Sequence, residues 1–396
     1  MPATDSCLRC GLCLPVCPTY NAHPVEPLSP RGRVALARGL VCNELQPTPT
    51  LLSYIDSCLD CIACVAVCPS GVPVSDAVSR ARELLRAEMP PPLLQQLVLR
   101  HALPFPDRQK WAYPLLRILP HRPYSLSALP TITRPLRPSL TQEMAPYGQS
   151  RAYRVGYFVG CGQDLLFSQA SRATIEVLRY NGCQVVTFPA QVCCGKPFTS
   201  YGQPEGARGL ARRNISAIET AGLDALVTDC ATCGSFLKAY PELFSDEQEW
   251  ADRASSLASK VMEVSQFLVN VPLRKGQTET RLRVTYHIPC HLGRGLGGGE
   301  EAHQVLRAIP GIEVADMAEA DSCCGGAGNY LLRHPRLSHR ILERKVSHIA
   351  AAEASAVATS CPGCRLHLLY GLRRHGVHAQ VLYPQELLLR SYQDRG

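Results

Sequence analysis

Hydrophobic positions fall into three regimes along the chain. In SPRGRVALARGL (29–40) and VSDAVSRARELLRAE (74–88) apolar side chains recur at helical spacing, and Pro30 stands where a helix would begin. After residue 150 the pattern changes to short apolar runs separated by amphipathic stretches. YRVGYFVG, CQVVTFP, ALVTD, RVTYHIP, IEVADM and AVATS read as strands, while SQASRATIEVLRYNG and EEAHQVLRAIPG read as helices between them. Such alternation predicts parallel sheets covered on both faces, with functional groups gathered at the carboxyl ends of the strands. Between these regimes, twelve prolines fall from Pro90 to Pro146, too many for uninterrupted helix or sheet. That stretch reads as a connector with short helical pieces laid across the next domain.

The second half of the chain repeats itself. Cys161, Cys193, Cys194, Cys230 and Cys233 are followed, at offsets of 129 to 131 residues, by Cys290, Cys323, Cys324, Cys361 and Cys364. A nearly constant offset marks a duplicated structural unit. The tails KVMEVSQFLVN and QVLYPQELLLR align as well. The expected organisation is a helical region at 1–90, the connector at 91–150, and repeats at 151–275 and 276–396.

Composition narrows the class. The 396 residues are 46% hydrophobic and 19% charged, as expected for a globular protein with apolar material to bury. No run of about 18 apolar residues offers a membrane span, and the first residues lack the basic start and apolar stretch of a signal peptide. The expected location is the cytoplasm, where twenty cysteines point to metal rather than to a disulfide framework. Seven of the basic residues that make the net charge +8 lie between Leu93 and Leu140, against Asp107 alone. This stretch suits a solvated linker, an acidic partner or peripheral contact with the inner face of a membrane. It has no base-stacking aromatic pattern, so no nucleic acid is expected.

The strongest signal is CLRCGLCLPVCP (7–18) and its echo CLDCIACVAVCP (58–69). Both fit C-x2-C-x2-C-x3-C-P, the spacing of two-cluster ferredoxins, in which the fourth cysteine serves the other cluster. One [4Fe–4S] cubane is therefore expected on Cys7, Cys10, Cys13 and Cys68, and a second on Cys58, Cys61, Cys64 and Cys17. A four-cysteine zinc site is the alternative, although zinc normally uses two C-x2-C pairs rather than two runs of four. The expected fold is an α-helical two-cluster ferredoxin-like N-terminal domain joined to an α/β C-terminal domain of two duplicated Cys-Cys-Gly repeats with parallel sheets.

Five cysteines per repeat exceed the four a cubane needs, and spacing alone does not say what the fifth does. Two ferredoxin runs followed by two Cys-Cys-Gly repeats resemble the iron–sulfur subunit of bacterial glycolate oxidase over nearly the whole chain. The segments SPRGRV and CPSGVPVSD resemble that branch in particular. The chain is also similar to the iron–sulfur subunits of anaerobic glycerol-3-phosphate dehydrogenase, lactate-oxidising complexes and heterodisulfide reductase. The resemblance implies an electron-transfer subunit of an oxidoreductase. It would be fed by a separate FAD-binding 2-hydroxy-acid oxidase subunit and would deliver electrons to a quinone or other acceptor. By resemblance to the heterodisulfide reductase relatives, each five-cysteine set would hold a non-cubane [4Fe–4S] cluster. Both C-x2-C pairs are complete, which also keeps open a heterodisulfide-reductase-like reduction of a disulfide or small acceptor. A zinc-bound structural module is the remaining alternative.

Other signals are weaker. GRGLGG (293–298), with Asp316 downstream, matches a dinucleotide fingerprint, but Cys290 already occupies that strand end and the first repeat has no such glycines, so no NAD is expected. His287, His291 and Lys196 are candidates to tune a cluster rather than to ligate it. Cys42 and Cys183 are left as ordinary core or surface residues. No Ser-His-Asp set or paired carboxylates stand out, so catalytic residues are not assigned.

Overall fold

The computed structural model describes residues 5–102, 104, 105, 108, 143, 144, 153–328 and 330–392. Among the described residues up to 102, all regular structure is helical. Helix Pro30–Val41 begins where Ser29 Oγ accepts a hydrogen bond from the Gly32 amide at 2.9 Å, with proline in the first turn. It packs Val34, Ala37 and Leu40 against Ala77, Val78, Ala81 and Leu85 of helix Val74–Glu88. Ile55 and Leu85 are fully buried there, and burying each such side chain contributes about 1.5–3 kcal/mol.

Two sheets follow. The first contains β1 (Glu143–Met144), β2 (Tyr153–Tyr157), β3 (Cys183–Val186), β4 (Ala225–Thr228) and β5 (Val261–Glu263), in the order β1-β3-β2-β4-β5. The second contains β6 (Leu282–Tyr286), β7 (Ile312–Ala315), β8 (Ala356–Ala358) and β9 (Gln380–Leu382), in the order β7-β6-β8-β9. The shared four-strand order is parallel throughout, as the strand–helix alternation predicts. Register repeats too: Val155 faces Ala225 in the first sheet, and Val284 faces Ala356 in the second.

Two features differ from the sequence reading. Residues 143–144 of the connector add an antiparallel edge strand, β1, onto β3. The first repeat also carries an additional helix, Gln248–Ser259, before its last strand. Most of the basic connector lies outside the described residues. Its described part touches the first repeat, where the Pro104 carbonyl accepts from the Cys193 amide at 3.1 Å. The repeats themselves share one hydrophobic cluster, which runs from Val155 and Val227 through Val284 and Val357 to Leu388.

Candidate metal centres

Both ferredoxin-type runs fold into the same loop. Arg9 and Asp60, one residue before the second cysteine of each run, have φ of 54°, and the residues after that cysteine, Gly11 and Ile62, have φ of 87° and 61°. A branched residue such as Ile62 is rarely found there, so the loop holds it against strain. The result is two adjoining cavities. One is lined by Cys7, Cys10, Cys13, Cys64 and Cys68. The other is lined by Cys17, Cys58, Cys61 and Cys64. Backbone amides of Asp60 and Val72 donate to Cys58 Sγ and Cys68 Sγ, each at 3.4 Å. The buried guanidinium of Arg33 donates to Cys17 Sγ at 3.9 Å, Thr19 Oγ1 at 3.0 Å and Ser57 Oγ at 2.7 Å. Sequence reading placed SPRGRV on a helix but did not single out Arg33.

In the repeats, Cys161 and Cys290 begin the segments after β2 and β6, and the C-x2-C pairs follow β4 and β8. Cys161 Sγ and Cys193 Sγ are 3.6 Å apart. Sulfurs of Cys324 and Cys364 lie within 4.8 Å of each other and of a His287 ring nitrogen. The glycine after each cysteine pair has positive φ, 101° at Gly195 and 83° at Gly325, and the Gly325 amide donates to Cys323 Sγ at 3.4 Å. None of the twenty cysteines is in a disulfide.

The five-cysteine sets adjoin one another. The Ala231 amide donates to the Ser360 carbonyl at 2.9 Å, and Thr232 Oγ1 lies 3.6 Å from Cys361 Sγ and 3.3 Å from His291 Nδ1. The N-terminal region meets the second repeat through Leu59, Cys61, Ala63, Cys323, Tyr330 and Ile341, with Cys290 packed beside them. Tyr330 Oη donates to the Ser57 carbonyl at 2.9 Å.

Comparison with known proteins fits this arrangement. A model of the 4Fe-4S dicluster domain matches residues 3–72, and a model of a cysteine-rich domain matches residues 155–238 and 284–369. The probable glycolate oxidase iron-sulfur subunit of Bacillus subtilis is 32% identical over 98% of this chain and 93% of its own length. The chain belongs to the glycolate oxidase iron–sulfur subunit family. The glycolate oxidase iron-sulfur subunit of Escherichia coli is 29% identical, covering 92% of this chain and 89% of that one. Lactate utilization protein A of a Geobacillus strain is 32% identical over 59% of this chain and 98% of its own. This family member is thus an iron–sulfur oxidoreductase subunit.

The donor set suits iron–sulfur clusters. Burial pushes the Cys61 thiol well above its ordinary value, and Cys290 acts in the same direction. Hydrogen bonds from Cys193 and Cys233 hold Cys194 well below its ordinary value, and those from Cys323 and Cys364 do the same for Cys324. Thiolates gathered away from water need a cation, which iron supplies. The backbone N–H···S bonds are of the kind that set cluster potential.

His287 is fully buried and neither of its ring nitrogens has a hydrogen-bond partner. His291 lies with Nδ1 4.0 Å from Cys290 Sγ. Lys196 is drawn elsewhere: its Nζ pairs with Asp60 at 2.6 Å, joining the N-terminal region to the first repeat. Buried Lys345 and His367 were missed in the sequence, although the repeat offset, extended beyond cysteines, finds both. In GRGLGG, Gly295 and Gly298 serve close packing, against Ser235 and Gln266, while Gly297 takes a left-handed turn with φ of 65°. Cys183 is buried in β3 and Cys42 is exposed. Among the described residues, no helix is long and apolar enough to cross a membrane.

Proposed function

We propose that this chain is the electron-transfer subunit of a flavin-linked 2-hydroxy-acid dehydrogenase complex of the glycolate or lactate type. A separate FAD-binding subunit oxidises the hydroxy acid, and this chain passes the electrons towards a quinone or another acceptor. The observation that carries the reading is an unbroken succession of thiol groups. Cys64 borders both ferredoxin-type cavities, Cys61 adjoins Cys290, and Cys361 adjoins the Cys230 segment.

In this reading Cys7, Cys10, Cys13 and Cys68 hold one cubane cluster, and Cys17, Cys58, Cys61 and Cys64 hold the other. Each five-cysteine set holds a further cluster of non-cubane type. When bound, the clusters supply one-electron acceptance and release, at potentials the protein tunes. Arg33 and the amides of Asp60 and Val72 place positive charge and donors at the sulfurs. Leu59, Ala63, Tyr330 and Ile341 exclude water between the ferredoxin-like region and the second repeat. Cys10 is exposed, with exposed Leu8 and Leu12 beside it, which makes this end the one open to a flavin partner. Peripheral contact with a membrane surface would fall to the basic connector.

A second reading, reduction of a disulfide or other small acceptor, draws support from a broad open cleft. Asp60, Lys196, Thr232 and His291 line it, close to both five-cysteine sets. The deciding experiment mixes the anaerobic chain with the flavin subunit and glycolate or lactate, then follows paramagnetic resonance. Reduction of the chain that requires both subunit and substrate is expected. No reduction by the reduced flavin subunit, or turnover of a disulfide by the isolated chain, would overturn the relay reading.

A further inference from the structure

Around the two five-cysteine sets, four corresponding residues differ in the same sense, against which Lys196 and Gln191 of the first repeat correspond to Gly326 and Asp321, Lys196 being paired with Asp60. At the repeat offset, Phe158 corresponds to His287, Gly162 to His291, Asn214 to Lys345 and Phe236 to His367. Three of these changes introduce an imidazole, and the fourth exchanges a neutral amide for an ammonium. In the opposite sense, the buried carboxylate Asp229 of the first repeat corresponds to Ser360.

The structure brings these residues to the second set. His287 is buried, lacks a hydrogen-bond partner, and places a ring nitrogen within 4.8 Å of Cys324 Sγ and Cys364 Sγ. That placement lets the imidazole offer its N–H to Cys324 once the site is closed around its centre. Lys345 is 1% exposed and is anchored by the carbonyls of Glu319 and Ala320, within electrostatic range of Cys323 and Cys324. His367 is held by Ser338 Oγ at 3.2 Å and lies within electrostatic range of Cys324. On the first side, Tyr157 Oη donates to Asp229 at 2.7 Å, and the walls are Phe158 and Phe236.

We propose that the second Cys-Cys-Gly site is the electron-holding end of the pair, poised at a more positive potential than the first, with His287 its principal positioning residue. This rests on the reading of both repeats as iron–sulfur sites. An added electron brings one negative charge, which donors and cations stabilise and a neighbouring carboxylate opposes. With clusters bound, one electron passing between the neighbouring Cys61 and Cys290 sites would oxidise the cubane by one unit and reduce the second site by one. No further reactant is needed.

The test is an anaerobic redox titration of the full chain read by paramagnetic resonance. Signals are assigned to repeats through Cys194→Ser and Cys324→Ser. The second site is expected to reduce at the higher potential. At fixed poise, His287→Phe should lower the reduced-to-oxidised ratio of the second site about tenfold, or about 59 mV for one electron, and leave the first unmoved. Lys345→Asn should act in the same direction. The reciprocal Phe158→His should raise the first site, and it keeps the test independent of whether His287→Phe folds. Equal or reversed potentials, or potentials indifferent to these exchanges, overturn the proposal. Wild-type repeats without iron and acid-labile sulfide would overturn the functional reading itself, and that failure shows before any titration.

Discussion

Strand for strand, the two Cys-Cys-Gly repeats agree: β3-β2-β4-β5 and β7-β6-β8-β9 share one order, and both cysteine turns use a glycine of positive φ. Their linings do not agree. The walls of the first set include Phe158 and Phe236, whereas His287 lies against the second, with Lys345 and His367 within electrostatic range of its cysteine pair. Their surroundings differ as well, because the ferredoxin-like region sets Cys61 beside Cys290 of the second repeat. Duplication has kept the backbone that aims the sulfurs while the walls have diverged. Backbone and ligands decide what binds, and the walls decide at what potential.

The largest effect comes from removing one sulfur at a time. Cys194→Ala and Cys324→Ala should each abolish the centre of their own repeat, a loss of about four irons per chain. Signals from the other repeat and from the ferredoxin-like region should survive. If either substitution empties both repeats, the two sets form one indivisible site and the comparison fails.

Glu263 gives the next effect. It closes β5, where the second repeat has Tyr383, and burial pushes its carboxyl up to about 7. The folded chain therefore binds this proton more tightly than the unfolded chain does. Its contribution to stability is complete below about pH 4.5 and is lost as pH rises through about 7, a change of about 3 kcal/mol. Melting measured from pH 5 to 8 should show this slope, and Glu263→Gln should flatten it.

The turn glycines should behave alike. Gly195→Ala and Gly325→Ala each force a Cβ into the left-handed region, at a cost of about 1–3 kcal/mol seen as lowered melting temperature. Gly325→Ala should be the worse, because its Cβ would meet Ile341 at 3.1 Å, against 3.3 Å to Ala207 for Gly195. The reverse ranking would show that the two turns are held differently. The smallest change in docking is expected from Lys196→Ala, although it leaves the largely buried Asp60 carboxylate short of its partner and lowers stability. It removes an ion pair to the first repeat and leaves the Tyr330–Ser57 contact to the second. Limited proteolysis should find the N-terminal region still docked. Its release would place the main attachment on the first repeat instead.

Much of this was legible in the sequence because the chemistry is local. C-x2-C spacing dictates a loop, and a constant offset dictates a duplicated unit, so the strands leading to Cys161 and Cys290 could be placed from residues alone, although they stop four residues earlier, at Tyr157 and Tyr286. What escaped depends on partners distant in the chain. Nothing near residue 143 announces that it pairs with β3, and no spacing reveals that Thr232 meets Cys361. Arg33 looked like one more helical arginine until the fold brought Cys17, Thr19 and Ser57 to its guanidinium. Lys345 and His367 were readable in principle, through the same offset that revealed the cysteines.

The claim beneath all of this is that four groups of thiols grip inorganic iron. Iron, zinc and acid-labile sulfide measured on the anaerobically purified full chain test it most directly. Four [4Fe–4S] centres predict about sixteen irons with matching sulfide per chain. About eight irons would leave the repeats bare, and zinc in place of iron would contradict the account from its first cysteine run onward.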